Sequence, residues 1–405
     1  MAQIREFTIE GLAGRTEPYS LVLNPDVNVF FGLNGSGKTT LLKTLYSALS
    51  TDTEILSDLP FTRAAVKIFL NRHRREFVRT FVRRERAINE ETTLVWPSPQ
   101  ASLWGSDQEF VAHSASPSVR FIFDRDRETV VEAPKWTSDP PEPDGPRLTP
   151  YRAGFLPISR LYRNVPTSTG KRLSDRELDG AFARGLQAQW SEYYADVSKE
   201  TAKAQERGLA NILGFFLTGG QSQGDTAEAP DEKEAFKRIS GFLDRQSGFR
   251  HLITSEQEFA AIYAKKKELQ NVVKQIEQVE TAIAEITAPR ERFRSVLESM
   301  FTGSKHLEFT DKEIKVQLSK DREIGLSLLS SGEKQLLFIA LHALIGGNNC
   351  LIVDEPELSM HVEWQRRLVA TLRELNPRLQ LIMATHSPEI MADLPDSQIF
   401  RIWPG

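Results

Sequence analysis

Short runs of apolar residues, alternating or continuous, open the chain. Residues 4–31 divide by pattern into three strands. The last, Val27-Asn28-Val29-Phe30-Phe31, is mostly apolar and ends in glycine, as a strand covered on both faces does. Leu41, Leu42, Leu45 and Leu49 then share one helical stripe, so a glycine-rich segment lies between a strand and a helix. Residues 63–86 predict a β-hairpin: Ala65 to Leu70 alternates, Asn71 to Arg75 is polar, and Phe77, Phe81 and Val82 continue the pattern. Residues 119–132 predict a second strand pair, and the proline- and aspartate-rich stretch 134–150 an exposed loop.

The period then changes. Residues 174–217 carry Leu178, Phe182, Leu186, Trp190, Tyr194 and Val197 at helical spacing, and the Gly/Ser/Gln stretch 219–230 predicts a flexible linker. Over 255–287, Ile262, Leu269, Ile276 and Ile283 fall in heptad register, with Val272, Val279 and Ile286 as the second set; Lys265 breaks the seam in its first turn. Such a run spans roughly 50 Å as a helix. It predicts either an amphipathic helix packed on its own domain or a short antiparallel coiled-coil arm with the 174–217 helix.

Beyond residue 305 strand and helix alternate. Strands are expected at His306–Phe309 and Ile314–Leu318, a helix from about Gly332, a strand at Cys350–Val353, a helix near 360–375 and a strand at Leu379–Ala384. Apolar strands alternating with helices predict a parallel α/β sheet. The expected organisation is a head in two parts, residues 1–165 and 306–405, interrupted by a helical insertion at 166–305.

Charge and cysteine content narrow the classes. A formal net charge of −4 gives no global attraction to nucleic acid or anionic membranes, so any such binding must be local. One local segment qualifies: Arg72, Arg74, Arg75, Arg79, Arg83, Arg84 and Arg86, with Arg63 upstream and Phe77 and Phe81 interleaved. It reads either as the solvated face of an edge hairpin or as a patch for DNA or RNA. The single cysteine, Cys350, excludes an internal disulfide and any cysteine zinc cluster. The N-terminus alternates and lacks a signal-peptide core, and no apolar run reaches membrane-spanning length, so a cytoplasmic protein is expected.

Three motifs carry chemistry. Gly32-Leu33-Asn34-Gly35-Ser36-Gly37-Lys38-Thr39 matches G-x-x-x-x-G-K-[ST], placed as required between a strand and a helix. Its glycines let successive N–H groups of Asn34, Gly35, Ser36, Gly37, Lys38, Thr39 and Thr40 turn towards phosphate oxygens, and the helix start favours the same anion. Lys38 is the candidate for the β- and γ-phosphates of ATP, and Thr39 for Mg²⁺. Second, the apolar strand Cys350–Val353 ends in Asp354 and Glu355. Adjacent acids at the tip of a buried strand suit a cation and an attacking water: Asp354 as Mg²⁺ ligand, Glu355 as general base. Third, Leu329-Ser330-Ser331-Gly332-Glu333-Lys334-Gln335 precedes an apolar helix. Alone it reads as a helix cap.

The order of these motifs resembles the ABC-type P-loop ATPases, whose signature reads L-S-G-G-Q. The variant LSSGE, with DEPELSMH at 354–361 and Ala384-Thr385-His386-Ser387-Pro388, resembles the RecF, SMC and OLD branch, as a stand-alone AAA family ATP-binding protein. The resemblance covers residues 3–49 and 326–390, and the middle of the chain shows no motif that matches it. It implies a P-loop NTPase with an ABC-type head: a mixed or parallel sheet plus an antiparallel β-subdomain. It also implies a head-to-tail homodimer, or a higher oligomer, with two ATPs between the phosphate loop of one copy and the signature loop of the other. Ser330 and Gly332 would touch the γ-phosphate in trans, and His386 would sense it beside Lys38 and Glu355. Relatives of this size resemble the ATPase halves of antiphage defence systems, paired with a separately encoded nuclease or other effector. The chain ends 19 residues after His386 (405 − 386), so no C-terminal nuclease domain is expected. A transporter-energising ATPase and a non-hydrolysing ATP-gated scaffold remain the alternatives. No glutamine is convincingly placed for a Q-loop: Gln187 and Gln189 fall inside the helical region.

Overall fold

The computed structural model of the chain describes residues 2–83, 86–87, 111–113, 120–124, 127–130, 135–142, 150–151, 153–157, 174–217, 231–245, 255–301, 305–319, 322–346 and 349–403. The chain forms two compact units, Met1–Asp179 with Leu329–Gly405, and Gly180–Leu328. In chain order, the first unit contains β1 (Ala2–Glu10), β2 (Tyr19–Val22), β3 (Val27–Phe31), α1 (Lys38–Ser50), β4 (Arg63–Leu70) and β5 (Arg75–Val82). It continues with β6 (Arg86–Ala87), β7 (Val111–His113), β8 (Arg120–Asp124), β9 (Arg127–Val130), β10 (Trp136–Asp139) and β11 (Ala153–Pro157). The units part within the first turns of α2 (Asp175–Leu217). The second unit holds α3 (Glu232–Arg245), α4 (Glu256–Tyr263), α5 (Lys267–Met300), β12 (His306–Phe309), β13 (Ile314–Ser319) and β14 (Arg322–Ile324). The chain re-enters the first unit for α6 (Ser331–Ile345), β15 (Cys350–Asp354), α7 (Val362–Leu375), β16 (Gln380–Thr385), α8 (Pro388–Met391) and β17 (Ile399–Arg401).

The first unit is built on a parallel sheet in the order β11-β15-β16-β3-β17 and an antiparallel sheet in the order β10-β5-β4-β1-β2. Cys350 and Ile352 of β15 and Ile382 and Ala384 of β16 share one core with Leu41, Leu42 and Leu45 of α1 and with Ile4, Phe7, Val66 and Ile68 of the antiparallel sheet. The alternate residues Leu351, Val353, Leu381 and Met383 are equally buried, and they point to the opposite face. Burial on both faces is why these strands are continuously apolar. The buried Gln380 amide ties the two sheets: its oxygen accepts from Ile4 N (2.8 Å), and its nitrogen donates to Ile4 O (2.7 Å) and Asn24 O (2.9 Å). A further antiparallel sheet runs β6-β9-β8-β7, and the expected pair at 119–132 falls in it.

Two expectations are corrected here. Residues 134–150 are not simply an exposed loop. Within them β10 pairs with β5, Trp136 is buried and its indole N–H donates to Ser47 Oγ at 2.9 Å. Glu142 is buried as well, while residues 143–149 lie outside the described residues. The arginine segment is not one patch either. Arg79 is wholly buried, paired with Glu142 at 2.8 Å and donating to Ala48 O and Leu49 O, carbonyls of the last turn of α1 that have no partner within the helix. Tyr151 completes this knot by donating its hydroxyl to Glu142 Oε2 at 3.1 Å. Arg83 donates to Leu56 O and Ser57 O, and Arg63 pairs with Glu10. Arg72, Arg74 and Arg75, at the hairpin turn, remain exposed; Arg84 and the Arg86 side chain lie outside the described residues.

In the second unit α2 and α5 run antiparallel. Trp190 stacks on Phe293 (5.8 Å), Arg290 lies over Tyr194 (5.5 Å), and Gly208 abuts Val279. The expected single helix at 255–287 is broken at 264–266 between α4 and α5, and α5 continues past Pro289 to Met300. Of the heptad positions, Ile276 and Val279 are buried, whereas Ile262 is 47% exposed. Gln187 is a clamp on β13, not a coupling glutamine: it donates to Ile314 O (2.7 Å) and accepts from Ile314 N (2.9 Å). The 219–230 linker lies outside the described residues.

The glycines of α2 give a prediction. A Cβ on Gly208 would stand 2.0 Å from Val279 Cγ2, while one on Gly185 meets nothing within 4 Å. Gly208→Ala is expected to destabilise by about 1–3 kcal/mol through overpacking. Gly185→Ala is expected to stabilise by up to about 1 kcal/mol through helix propensity. Thermal melting of the two variants checks this, and equal shifts would contradict the packing.

Candidate nucleotide site

Parallel strands bring the motifs together. Asp354 of β15 lies beside Ala384 of β16, and Thr385 lies beside Phe31 of β3. The acidic strand end, the His386 turn and the glycine loop therefore leave the same edge of the sheet, with β16 central. Open α/β sheets bind ligands outside these carboxyl ends.

The loop is shaped by its glycines. Gly35 and Gly37 adopt φ of +82° and +94°, and a Cβ on Gly32 would stand 2.1 Å from Ile402 O, where β17 ends. Asn34 and Gly35 are exposed, whereas Ser36 is fully buried with its hydroxyl unpartnered. Lys38 is also buried. Its ammonium donates to Gly32 O (2.7 Å) and Leu33 O (2.9 Å), so the loop's own carbonyls hold it. Burial lowers the Lys38 pKa, opposed by Glu355, Asp354 and Glu357. Thr40, in the first turn of α1, accepts at its carbonyl from Thr44.

Thr39 Oγ1 donates to Asp354 Oδ2 at 2.9 Å. The other oxygen, Asp354 Oδ1, is buried and unpartnered. Burial pushes the Asp354 pKa up to about 6, with the Thr39 bond opposing and Glu355 adding to the rise. A carboxylate held at such cost fits a cation. Among the described residues no cluster of three or more His, Cys, Asp or Glu is arranged to hold a metal by itself. One carboxylate beside one hydroxyl instead suits Mg²⁺, which takes its remaining ligands from phosphates and water.

Glu355 adopts φ of +53°, its N–H donates to Ala384 O (2.8 Å), and its carboxylate lies 3.5 Å from His386 Nε2. A non-glycine residue in that region is strained, and such strain gathers at functional sites. Ser359, further along the same turn, is also left-handed at φ +63°. Lys38, Thr39, Asp354, Glu355 and His386 thus form one cluster.

Ser330 and Gly332 are engaged elsewhere. Ser330 caps α6 in a capping box with Glu333, accepting from its N–H at 3.3 Å, while Glu333 Oε2 accepts from Ser330 N at 2.7 Å. A Cβ on Gly332 would stand 2.3 Å from Ser359 O, so only glycine lets α6 approach that turn. Gln335 donates to Pro356 O, and buried Lys334 pairs with Asp179 at 2.6 Å.

Glu357, within DEPELSMH, carries no site role predicted from sequence. Glu357 Oε1 accepts from the His386 backbone N–H at 2.6 Å, while Oε2 is buried and unpartnered. Its charge gave no signal in sequence, because a third acid in a turn reads as solvated.

Comparison with known proteins adds family. An AAA domain family model matches residues 6–300, and a second AAA domain model matches 210–392. A stretch of 90 residues is 30% identical to the Retron Vc95 probable ATPase of Vibrio cholerae serotype O1 biovar El Tor, covering 19% of this chain and 18% of that protein. Another of 85 residues is 31% identical to the Septu protein PtuA of Bacillus thuringiensis, covering 17% and 21%. The Retron Ec83 probable ATPase of Escherichia coli is 28% identical over 90 residues, 22% of this chain and 16% of that one. Each match therefore spans about a fifth of the relative's length. Among solved structures, the Smc head domain of Pyrococcus furiosus, bound to the C-terminal domain of ScpA, aligns over 97% of this chain and 92% of its own. It does so with 13% identity and a TM-score of 0.42, and at that score it adds nothing to the topology above.

Proposed function

The chain belongs to the AAA domain family, and on that footing we propose that it is an ATPase, two copies of which bind ATP head to tail and use its hydrolysis as a switch. The observation that carries this reading is a division of labour. Lys38, Thr39, Asp354, Glu355 and His386 cluster at one sheet edge, while the exposed start of α6 at Ser330 faces only its own cap. A helix start offers its free N–H groups to an anion, and a γ-phosphate brought by a second copy is such an anion. Leu33, Leu358 and Val362 are 61%, 41% and 50% exposed, apolar surface that a second copy would cover.

In this reading Asn34 to Thr40 wrap the phosphates with backbone N–H groups. Lys38 exchanges the Gly32 and Leu33 carbonyls for phosphate oxygens, and Thr39 and Asp354 hold Mg²⁺. When bound, that ion supplies positive charge to the phosphate oxygens. Glu355 takes the proton from the attacking water, and His386 orients the γ-phosphate. Hydrolysis removes the anion that joins the copies, so assembly is ATP-gated.

A site shared between copies makes turnover per chain depend on concentration. The expected result is a rise of kcat with protein concentration up to a plateau, read with a coupled phosphate assay. A turnover per chain that stays constant down to nanomolar protein, where sedimentation shows monomers, would contradict it.

For the process, the reading is a role in antiphage defence, in the cytoplasm and with a separately encoded effector such as a nuclease; the likeness to the retron and Septu proteins supports the defence part of it. Among the described residues no helix is long and apolar enough to cross a membrane, and nothing in the structure favours the transporter reading over this one. Among the described arginines of the segment, contact with DNA or RNA rests chiefly on Arg72, Arg74 and Arg75, since Arg79 and Arg83 have structural partners.

A further inference from the structure

The turn at 355–360 is held at several points, and one of its bonds reaches the reacting edge by an indirect route. Glu357 Oε1 accepts from the His386 backbone N–H at 2.6 Å, a short charge-assisted bond. The next residue is fixed from a second direction: Ser387 Oγ donates to Gln365 Oε1 at 2.7 Å. The same Gln365 amide donates back into the acidic turn, to Met360 O at 2.8 Å and Glu357 O at 3.4 Å. Glu357, from the turn, and Gln365, from the first turns of α7, therefore grip two successive residues, His386 and Ser387. That turn is itself seated against α6 through Ser359 on Gly332 and through Gln335 on Pro356.

A surface carboxylate would spend both oxygens on water. Glu357 Oε2 is instead buried and unpartnered, a cost that a merely solvated acid does not bear. We infer that Glu357 is a positioning residue for hydrolysis, setting the His386 imidazole through its backbone N–H while making no contact with the nucleotide itself. This rests on the reading of His386 as a γ-phosphate group, and the test separates the two claims.

Turnover would be measured for Glu357→Ala, Glu357→Asp, Glu357→Gln, His386→Ala and the double variant Glu357→Ala/His386→Ala, alongside calorimetric binding of ADP and thermal melting. His386→Ala is expected to lower kcat by about a hundred-fold. Glu357→Ala is expected to lower it by about ten-fold, as displacement of a reacting group does, with ADP affinity unchanged. Glu357→Asp, too short to reach the His386 N–H, should fall with Glu357→Ala. Glu357→Gln keeps an accepting oxygen and should stay within about three-fold of wild type. In the His386→Ala background the Glu357→Ala effect should vanish, because residues acting as a unit are non-additive.

A wild-type kcat in His386→Ala overturns the reading of His386, and the inference with it. A slow His386→Ala with a wild-type Glu357→Ala overturns the positioning role alone. So does an additive double variant, or a Glu357→Asp that keeps full activity while Glu357→Gln loses it, since charge and not the hydrogen bond would then be the cause. If Glu357→Ala fails to fold, the Asp and Gln pair carries the same decision.

Discussion

Glu355→Gln is expected to lower ATP turnover by about a hundred- to ten-thousand-fold, the range over which a positioned general base contributes. The substitution keeps size and shape, so the cause is isolated. Glu355 is fixed by its N–H to Ala384 O and by a left-handed backbone, neither of which needs a carboxylate. What is lost is the basic oxygen 3.5 Å from His386 Nε2. The phosphate loop and the Thr39–Asp354 pair are untouched, so nucleotide affinity should persist or rise. Single-turnover measurement separates this from Lys38→Ala, which should lose hydrolysis together with affinity. A Glu355→Gln protein within about ten-fold of wild-type turnover would remove Glu355 from the role of base.

Asp354→Asn should make the nucleotide-free protein more stable at neutral pH. Burial raises the Asp354 pKa from 3.8 to about 6. Between those values the folded state holds more protons than the unfolded state, so stability falls as pH rises through that window. At pH 7.5 the buried charge costs on the order of 2–3 kcal/mol. Asparagine carries no charge, and its amide oxygen can still accept from Thr39. The variant is therefore expected to melt several degrees above wild type at pH 7.5, with the gap closing towards pH 4. With Mg²⁺ and ATP present the order should reverse, because only the carboxylate gains from the ion. Ligand-free Asp354→Asn melting at or below wild type at pH 7.5 would show that the carboxylate is not held at a cost.

The chemistry of the head was legible because each motif ties residue type to backbone geometry. Gly35 and Gly37 need positive φ, Gly32 and Gly332 need close approach, and the apolar run before Asp354 needs burial on both faces. The strands that escaped notice lack such marks. β11 is short and carries Gly154 and Pro157, yet it pairs with β15 along the whole strand. β10 was hidden by surrounding prolines and acids, although Trp136 fills the core between β5 and α1. Composition also misled over the arginines. A run of like charges says nothing of which member turns inward, and Arg79 does so because Glu142, more than sixty residues away, neutralises it. Glu357 was invisible for the same reason: its partner is a backbone N–H across the turn.

The most direct test of the shared site is the molar mass of Glu355→Gln by light scattering, with and without saturating ATP and Mg²⁺. The account predicts a monomer that doubles in mass when ATP is added and returns to monomer when ADP replaces it. A Glu355→Gln protein that binds ATP and keeps a monomer's mass would contradict it.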